Sequence, residues 1–182
     1  MEIITYMLKG SLTHEDNLGH KKTIHANEVQ YLRAGHGISH SEHNESTTDV
    51  THFLQIWLLP RKRDMEPTYV HANMQGNLAN NKLTLIAAGF TDGNQNQDEE
   101  VIQLNADAKI YACMLQSNHQ LTHTPEITQD VWIQVISGKL IINGHGVAQG
   151  GAIAFDSEQQ ISIHASEAAH FLLFDLYNLS NG

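Results

Sequence analysis

The sequence predicts an all-β protein built as two sandwich-like or barrel-like units. Three observations carry that expectation. The apolar runs are short and bounded by turn formers. Glycine-containing dipeptides recur between them. A proline-bounded polar stretch after Pro60 interrupts the strand pattern.

Taken in order, the first expected strand is the run 3–8, which stops at Lys9-Gly10. The run 53–59 is the next, ended by Pro60, because proline cannot donate to a ladder. Strands resume with 83–88 and 110–115, and continue as 131–136, 139–142, 161–164 and 171–176. Ser137-Gly138, Asn143-Gly144 and Gly150-Gly151 are the expected turns, the Asn-Gly pair being suited to the positive φ angles of a tight hairpin. The division is therefore an amino-terminal unit at 1–60, a linker at 61–82 and a carboxy-terminal unit at 83–182.

Composition excludes several classes of function. With 20 acidic residues against 10 basic ones, the formal net charge of −10 repels nucleic acid and anionic membranes over most of the surface. Arg61-Lys62-Arg63, the one basic knot, runs straight into Asp64 and reads as a solvated connector. No apolar run is long enough to span a bilayer and the start has no signal-peptide character, so a cytoplasmic location is the expectation. Cys113 sits in an apolar run and reads as a buried, reduced thiol. The loop 91–100 is polar and acidic but lacks calcium-loop spacing, and reads as a solvated excursion.

Thirteen histidines are many for 182 residues. His14, His20, His25, His71, His119, His123 and His145 lie in polar, turn-rich sequence and are expected at the surface. His40-Ser41-Glu42 is different: in an extended chain, alternate side chains share a face, so an imidazole and a carboxylate point the same way. That is half of a site for iron, manganese, nickel or zinc, which needs three or four protein ligands. The same two side chains could equally satisfy one another without metal. His43 has the opposite parity to His40, and His36 lies between Gly35 and Gly37, which favour a turn.

Several segments together resemble the pirin family. They are Glu2-Ile-Ile-Thr-Tyr-Met-Leu-Lys-Gly10, then His14-Glu-Asp16, Gly19 and Gln30, then the stretch from Ala34 to Ser46 around His40-Ser41-Glu42, then His52-Phe-Leu-Gln-Ile-Trp57 ending at Pro60. Glu66-Pro67-x-Tyr69 continues the likeness, and Val131 to Gly138, Gly150-Gly151 and Leu172 to Leu176 are similar to the family's second half. The resemblance implies two cupin (jelly-roll) barrels in tandem, with one mononuclear metal site, usually iron, in the first. His40 and Glu42 match two of its four ligands. In the family the other two come from a His-Pro-His segment preceding the stretch that begins here at Met1-Glu2, so the first barrel is expected to be incomplete.

The resemblance implies a quercetin 2,3-dioxygenase-like enzyme that opens a flavonol ring with O₂, with Glu42 able to take the flavonol hydroxyl proton. Phe53, Trp57 and Tyr6 are candidates to wall an aromatic substrate, or to form ordinary core. Two alternatives stand beside this reading. One is a metal-poor binding or regulatory module, as pirins of animal nuclei act with transcription factors. The other is a degenerate, truncated relative that covers exposed strand edges by forming a homodimer.

Overall fold

The computed structural model describes residues 1–74, 78, 80–89, 101–126, 129–156 and 158–177. The loop 91–100 lies outside them. All regular structure among the described residues is β-strand. In chain order the strands are β1 Glu2–Lys9, β2 Ser11–Asp16, β3 Lys21–His25, β4 Glu28–Arg33, β5 His40–His43, β6 His52–Leu58, β7 Thr68–Asn73, β8 Thr84–Gly89, β9 Ile102–Leu104, β10 Ala108–Leu115, β11 Gln120–His123, β12 Gln129–Ile142, β13 His145–Ala148, β14 Ala152–Phe155 and β15 Ile161–Tyr177. The chain divides into two compact units, Met1–Gln75 with Phe90–Ala106, and Gly76–Gly89 with Asp107–Gly182. No helix among the described residues is long and apolar enough to cross a membrane.

The first unit holds two antiparallel sheets, β6-β1-β4-β7 and β3-β2-β5. β7 falls within the stretch 61–82 expected as a linker, yet it pairs with β4 from Thr68↔Arg33 to Asn73↔Glu28. β1 is central and buried on both faces from Glu2 to Met7, which explains its near-continuous apolar run. One face presents Glu2, Ile4 and Tyr6, and the other Ile3, Thr5 and Met7. Met7 packs with Leu12 of β2, Ile24 of β3 and the half-buried Phe53 of β6, joining the two sheets. The same face carries a row of polar residues in register, His71–Gln30–Thr5–Gln55 across β7, β4, β1 and β6.

Gly10, at φ 75°, ends β1 and lets the chain leave one sheet for the other. A Cβ there would lie 2.5 Å from the Val50 carbonyl oxygen, so only glycine fits the approach. The exposed basic segment beginning at Arg61 is tied down by its backbone: the amides of Arg61 and Lys62 donate to Asn105 O and Oδ1 at 2.8 and 3.1 Å. Asn105 is itself buried with Glu2 and Tyr31, whose hydroxyl donates to the Glu2 carboxylate.

In the second unit β13-β12-β15-β10-β8 run side by side, with β11 on β15 and β14 on β12. Ile133, Val135, Leu140, Ile142, Ile161, Ile163, Phe171 and Leu173 form its core. The expected pairs 131–136 with 139–142, and 161–164 with 171–176, are each one long strand, β12 and β15. Ser137-Gly138 is not a turn but a bulge, where the β12–β15 register shifts on both sides of Ser137. Asn143 and Gly144, at φ 46° and 83°, do form the β12–β13 hairpin turn. Cys113 is a buried free thiol, which burial pushes up to about 12.

Candidate metal centre

The polar row of the first sheet faces β2 and β5, whose inward residues beyond Leu12 are also polar. β2 pairs with β5 so that His14 lies opposite Glu42, and Asp16 opposite His40. Directly opposed residues in an antiparallel pair share a face, so these four side chains form one patch. His14 is fully buried, Asp16 nearly so, Glu42 half-buried and His40 exposed.

Glu42 is gripped from across the unit. Gln30 Nε2 donates to its Oε1 at 2.6 Å, and Gln55 Nε2 donates to its Oε2 at 2.8 Å. Each amide is oriented by an aromatic donor: Tyr69 Oη donates to Gln30 Oε1 at 3.2 Å and Trp57 Nε1 to Gln55 Oε1 at 3.1 Å. With their carbonyls so occupied, both glutamines must present N–H to the carboxylate. Burial, with the negative charge of Glu42, Asp16 and Glu28, pushes the Tyr69 phenol well above its ordinary value, which keeps it a donor.

Behind His14 stands Asp16. Its carboxylate accepts from His14 Nε2 at 3.0 Å, His20 Nδ1 at 2.9 Å, and the amides of Leu18 and His20 at 2.9 and 3.1 Å. Burial alone would raise this carboxyl, but these hydrogen bonds outweigh it and hold it well below the usual carboxylate range. An ionised Asp16 only accepts, so it fixes the proton of His14 on Nε2. His14 Nδ1, also buried, has no hydrogen-bond partner among the described residues and lies 4.0 Å from Glu42 Oε1. The His14 ring stacks on His40 at 5.3 Å between centroids and on Tyr69 at 4.7 Å. Thr5 Oγ1, on the row between Gln30 and Gln55, is likewise buried and unpartnered among the described residues.

Several expectations change here. His14 was expected at the surface; it is buried because its strand turns Leu12, His14 and Asp16 inward together. His123 was too, yet it is buried in the second unit, its Nε2 2.7 Å from Asp175 Oδ1 and its ring edge-on to Tyr111. His36 sits in a turn and meets Glu66 at 3.1 Å, while exposed His43, opposite Thr13, lies on the other face of β5 and meets Glu45 at 3.3 Å. Among the candidate aromatic walls, Tyr6 is fully buried on the opposite face of β1 and cannot line this patch. Phe53 packs into the Met7 cluster. Trp57 remains, on the patch's face and 61% exposed.

The donor chemistry fits a divalent transition metal: imidazole and carboxylate on one face, with an orphaned buried nitrogen beside them. Among the described residues, no three His, Cys, Asp or Glu side chains lie close enough together to hold a metal ion as they stand.

Comparison with known proteins identifies the family. Residues 1–58 match the pirin family model, and residues 93–176 match the model of the quercetinase C-terminal cupin domain. The chain is 35% identical over 176 residues to the quercetin 2,3-dioxygenase of Escherichia coli (strain K12), covering 97% of this chain and 72% of that protein. Among solved structures it is similar to YhhW from Escherichia coli, with a TM-score of 0.88 and 32% identity over 100% of this chain and 74% of the other. It is similar as well to the bacterial pirin YhhW in complex with nickel(II), with a TM-score of 0.88 and 34% identity, covering 98% and 73% of the two chains. An all-β architecture shared with these structures, and identity sustained along nearly the whole chain, show that it belongs to the pirin family of cupin proteins.

Proposed function

We propose that this protein is a metal-dependent dioxygenase of the quercetin 2,3-dioxygenase type, acting on a flavonol-like aromatic substrate, with His40 and Glu42 as protein ligands. The observation that carries the reading is the clamp on Glu42: two glutamine amides from the strands on either side of β1 converge on one carboxylate beside a stacked histidine pair. Carboxylates that are merely solvated need no such scaffold, whereas metal-binding carboxylates are oriented by neighbouring hydrogen bonds. The likeness to the quercetin 2,3-dioxygenase of Escherichia coli and to the nickel(II) complex of YhhW supports the same chemistry.

When bound, a divalent ion supplies Lewis acidity toward oxygen donors at this patch. The chain's own residues do the rest. Gln30 and Gln55 stabilise negative charge on Glu42 and stop its rotation, leaving the remaining lone pairs to face the patch. Glu42 Oε can then take the proton of an approaching flavonol hydroxyl, a transfer that needs contact within hydrogen-bond reach. Trp57 offers an exposed ring on the same face for stacking against an aromatic substrate.

The test is reconstitution with iron, manganese or nickel, followed by flavonol absorbance and O₂ uptake against a metal-only control. Coupled loss of flavonol and O₂, abolished in Glu42→Gln, is the expected result. Stoichiometric metal with no turnover would refute the dioxygenase reading and leave a metal-bound binding module.

A further inference from the structure

We propose that His14 is a third protein ligand, through Nδ1, to the ion held by His40 and Glu42. The proposal rests on the metal reading above and adds a donor that neither the His40-Ser41-Glu42 motif nor its spacing reveals.

The starting point is a conflict of lone pairs. Asp16 holds the proton on His14 Nε2, so in the neutral ring Nδ1 is an acceptor. It points toward another acceptor, Glu42 Oε1, at 4.0 Å, and the fully buried His14 Nδ1 has no protein donor among the described residues. Two facing acceptors in a low-dielectric setting are unfavourable unless a cation, a proton or a doubly donating water joins them. Their separation is about that of two ligands on opposite sides of one ion, each at roughly 2.0–2.1 Å.

The surroundings match what a ligating imidazole requires. A metal-bound histidine gives its other N–H to a carboxylate, which fixes the tautomer and raises the basicity of the ligating nitrogen. Asp16 does this for His14, and is itself pinned by three further donors from His20 and Leu18. His40 already stacks on His14 and is exposed, so turning about its own side-chain torsions brings a ring nitrogen to the same ion. The pairing of β2 with β5 places all three donors on one face: His14 opposite Glu42, and His40 two residues before Glu42.

Ring-nitrogen NMR of the wild-type full chain, titrated with Zn(II), decides the matter without relying on a variant that folds. His14 Nδ1 is expected to begin at the shift of a free lone-pair nitrogen and to move to that of a metal ligand at one equivalent, together with one nitrogen of His40. Movement of His40 alone would overturn the proposal and leave the two-ligand reading intact. Movement of neither ring would overturn both. A His14 ring doubly protonated from the outset and indifferent to Zn(II) would assign the gap to a shared proton and also overturn it. As a second measurement, Ni(II) calorimetry on His14→Gln should show affinity at least about tenfold weaker than wild type, and unchanged affinity in a folded His14→Gln would contradict a ligand role.

Discussion

Replacing Gln30 by methionine removes the buried half of the clamp on Glu42 at nearly constant volume, and its cost follows from two hydrogen bonds. Gln30 is 1% exposed and donates to an ionised carboxylate at 2.6 Å, a bond of a kind that contributes about 1.5–3 kcal/mol. It also accepts from the Tyr69 hydroxyl at 3.2 Å, a neutral bond contributing about 0.5–1.5 kcal/mol. The apolar methionine recovers roughly 1 kcal/mol on burial, which leaves a net loss of about 1–3.5 kcal/mol. Gln55 makes geometrically similar bonds to Glu42 and Trp57 but is exposed, so water replaces them and Gln55→Met should cost no more than about 0.5 kcal/mol.

Urea unfolding separates the two. In a Trp132→Phe background Trp57 is the one remaining tryptophan of the two in the sequence, and it reports on the first unit. With a slope of about 1–3 kcal/mol per molar urea, Gln30→Met should lower the midpoint by roughly 1 M at the middle of these ranges, and Gln55→Met should barely move it. Adding Glu42→Leu should make Gln30→Met cheaper by about 1.5–3 kcal/mol, because the shared bond is already gone. Equal costs for the two glutamines, or strict additivity with Glu42→Leu, would refute the reasoning.

Other consequences are equally concrete. Gly138→Ala should lower stability by more than about 3 kcal/mol, since its Cβ would lie 2.0 Å from the Ala168 carbonyl oxygen. Gly144→Ala, at a similar positive φ with nothing within 4 Å, should cost only about 1–2 kcal/mol, and the difference in Tm checks both. Asp175→Ala leaves His123 buried without its 2.7 Å partner and should destabilise the second unit by about 3 kcal/mol in thermal unfolding. Burial raises the Cys113 thiol to about 12, so above about pH 9 the unfolded chain ionises and the folded one does not. Stability should therefore fall by up to about 1.4 kcal/mol per pH unit between pH 9 and 12, and Cys113→Ala should flatten that slope in pH-dependent denaturation.

The strands that were legible are those with apolar residues on both faces or a full apolar run: β1, β6, β8 and β10. β12 and β15 were legible as strands, but each was divided in two, because a glycine that serves a bulge looks like one that serves a turn. β2, β4 and β5 escaped because of what they face. Their inward positions include His14, Asp16, Gln30, His40 and Glu42, so the alternation of apolar with polar residues that marks a half-buried strand is absent. A strand that builds a polar site hides itself by doing so. His40 and Glu42 were visible because they are two residues apart. His14 was not, although His14-Glu15-Asp16 repeats the same alternate spacing of imidazole and carboxylate; only the β2–β5 register brings the two motifs together. The clamp of Gln30, Gln55, Tyr69 and Trp57 is assembled from three strands of one sheet and carries no local signal at all.

The most direct test is metal content after anaerobic incubation with Fe(II) or Ni(II) and gel filtration, measured by elemental analysis on wild type, His40→Ala and Glu42→Gln. About one ion per chain in wild type, lost in both variants, is the expected result. Wild type free of metal, or variants that keep a full equivalent, would contradict a metal centre built on these residues.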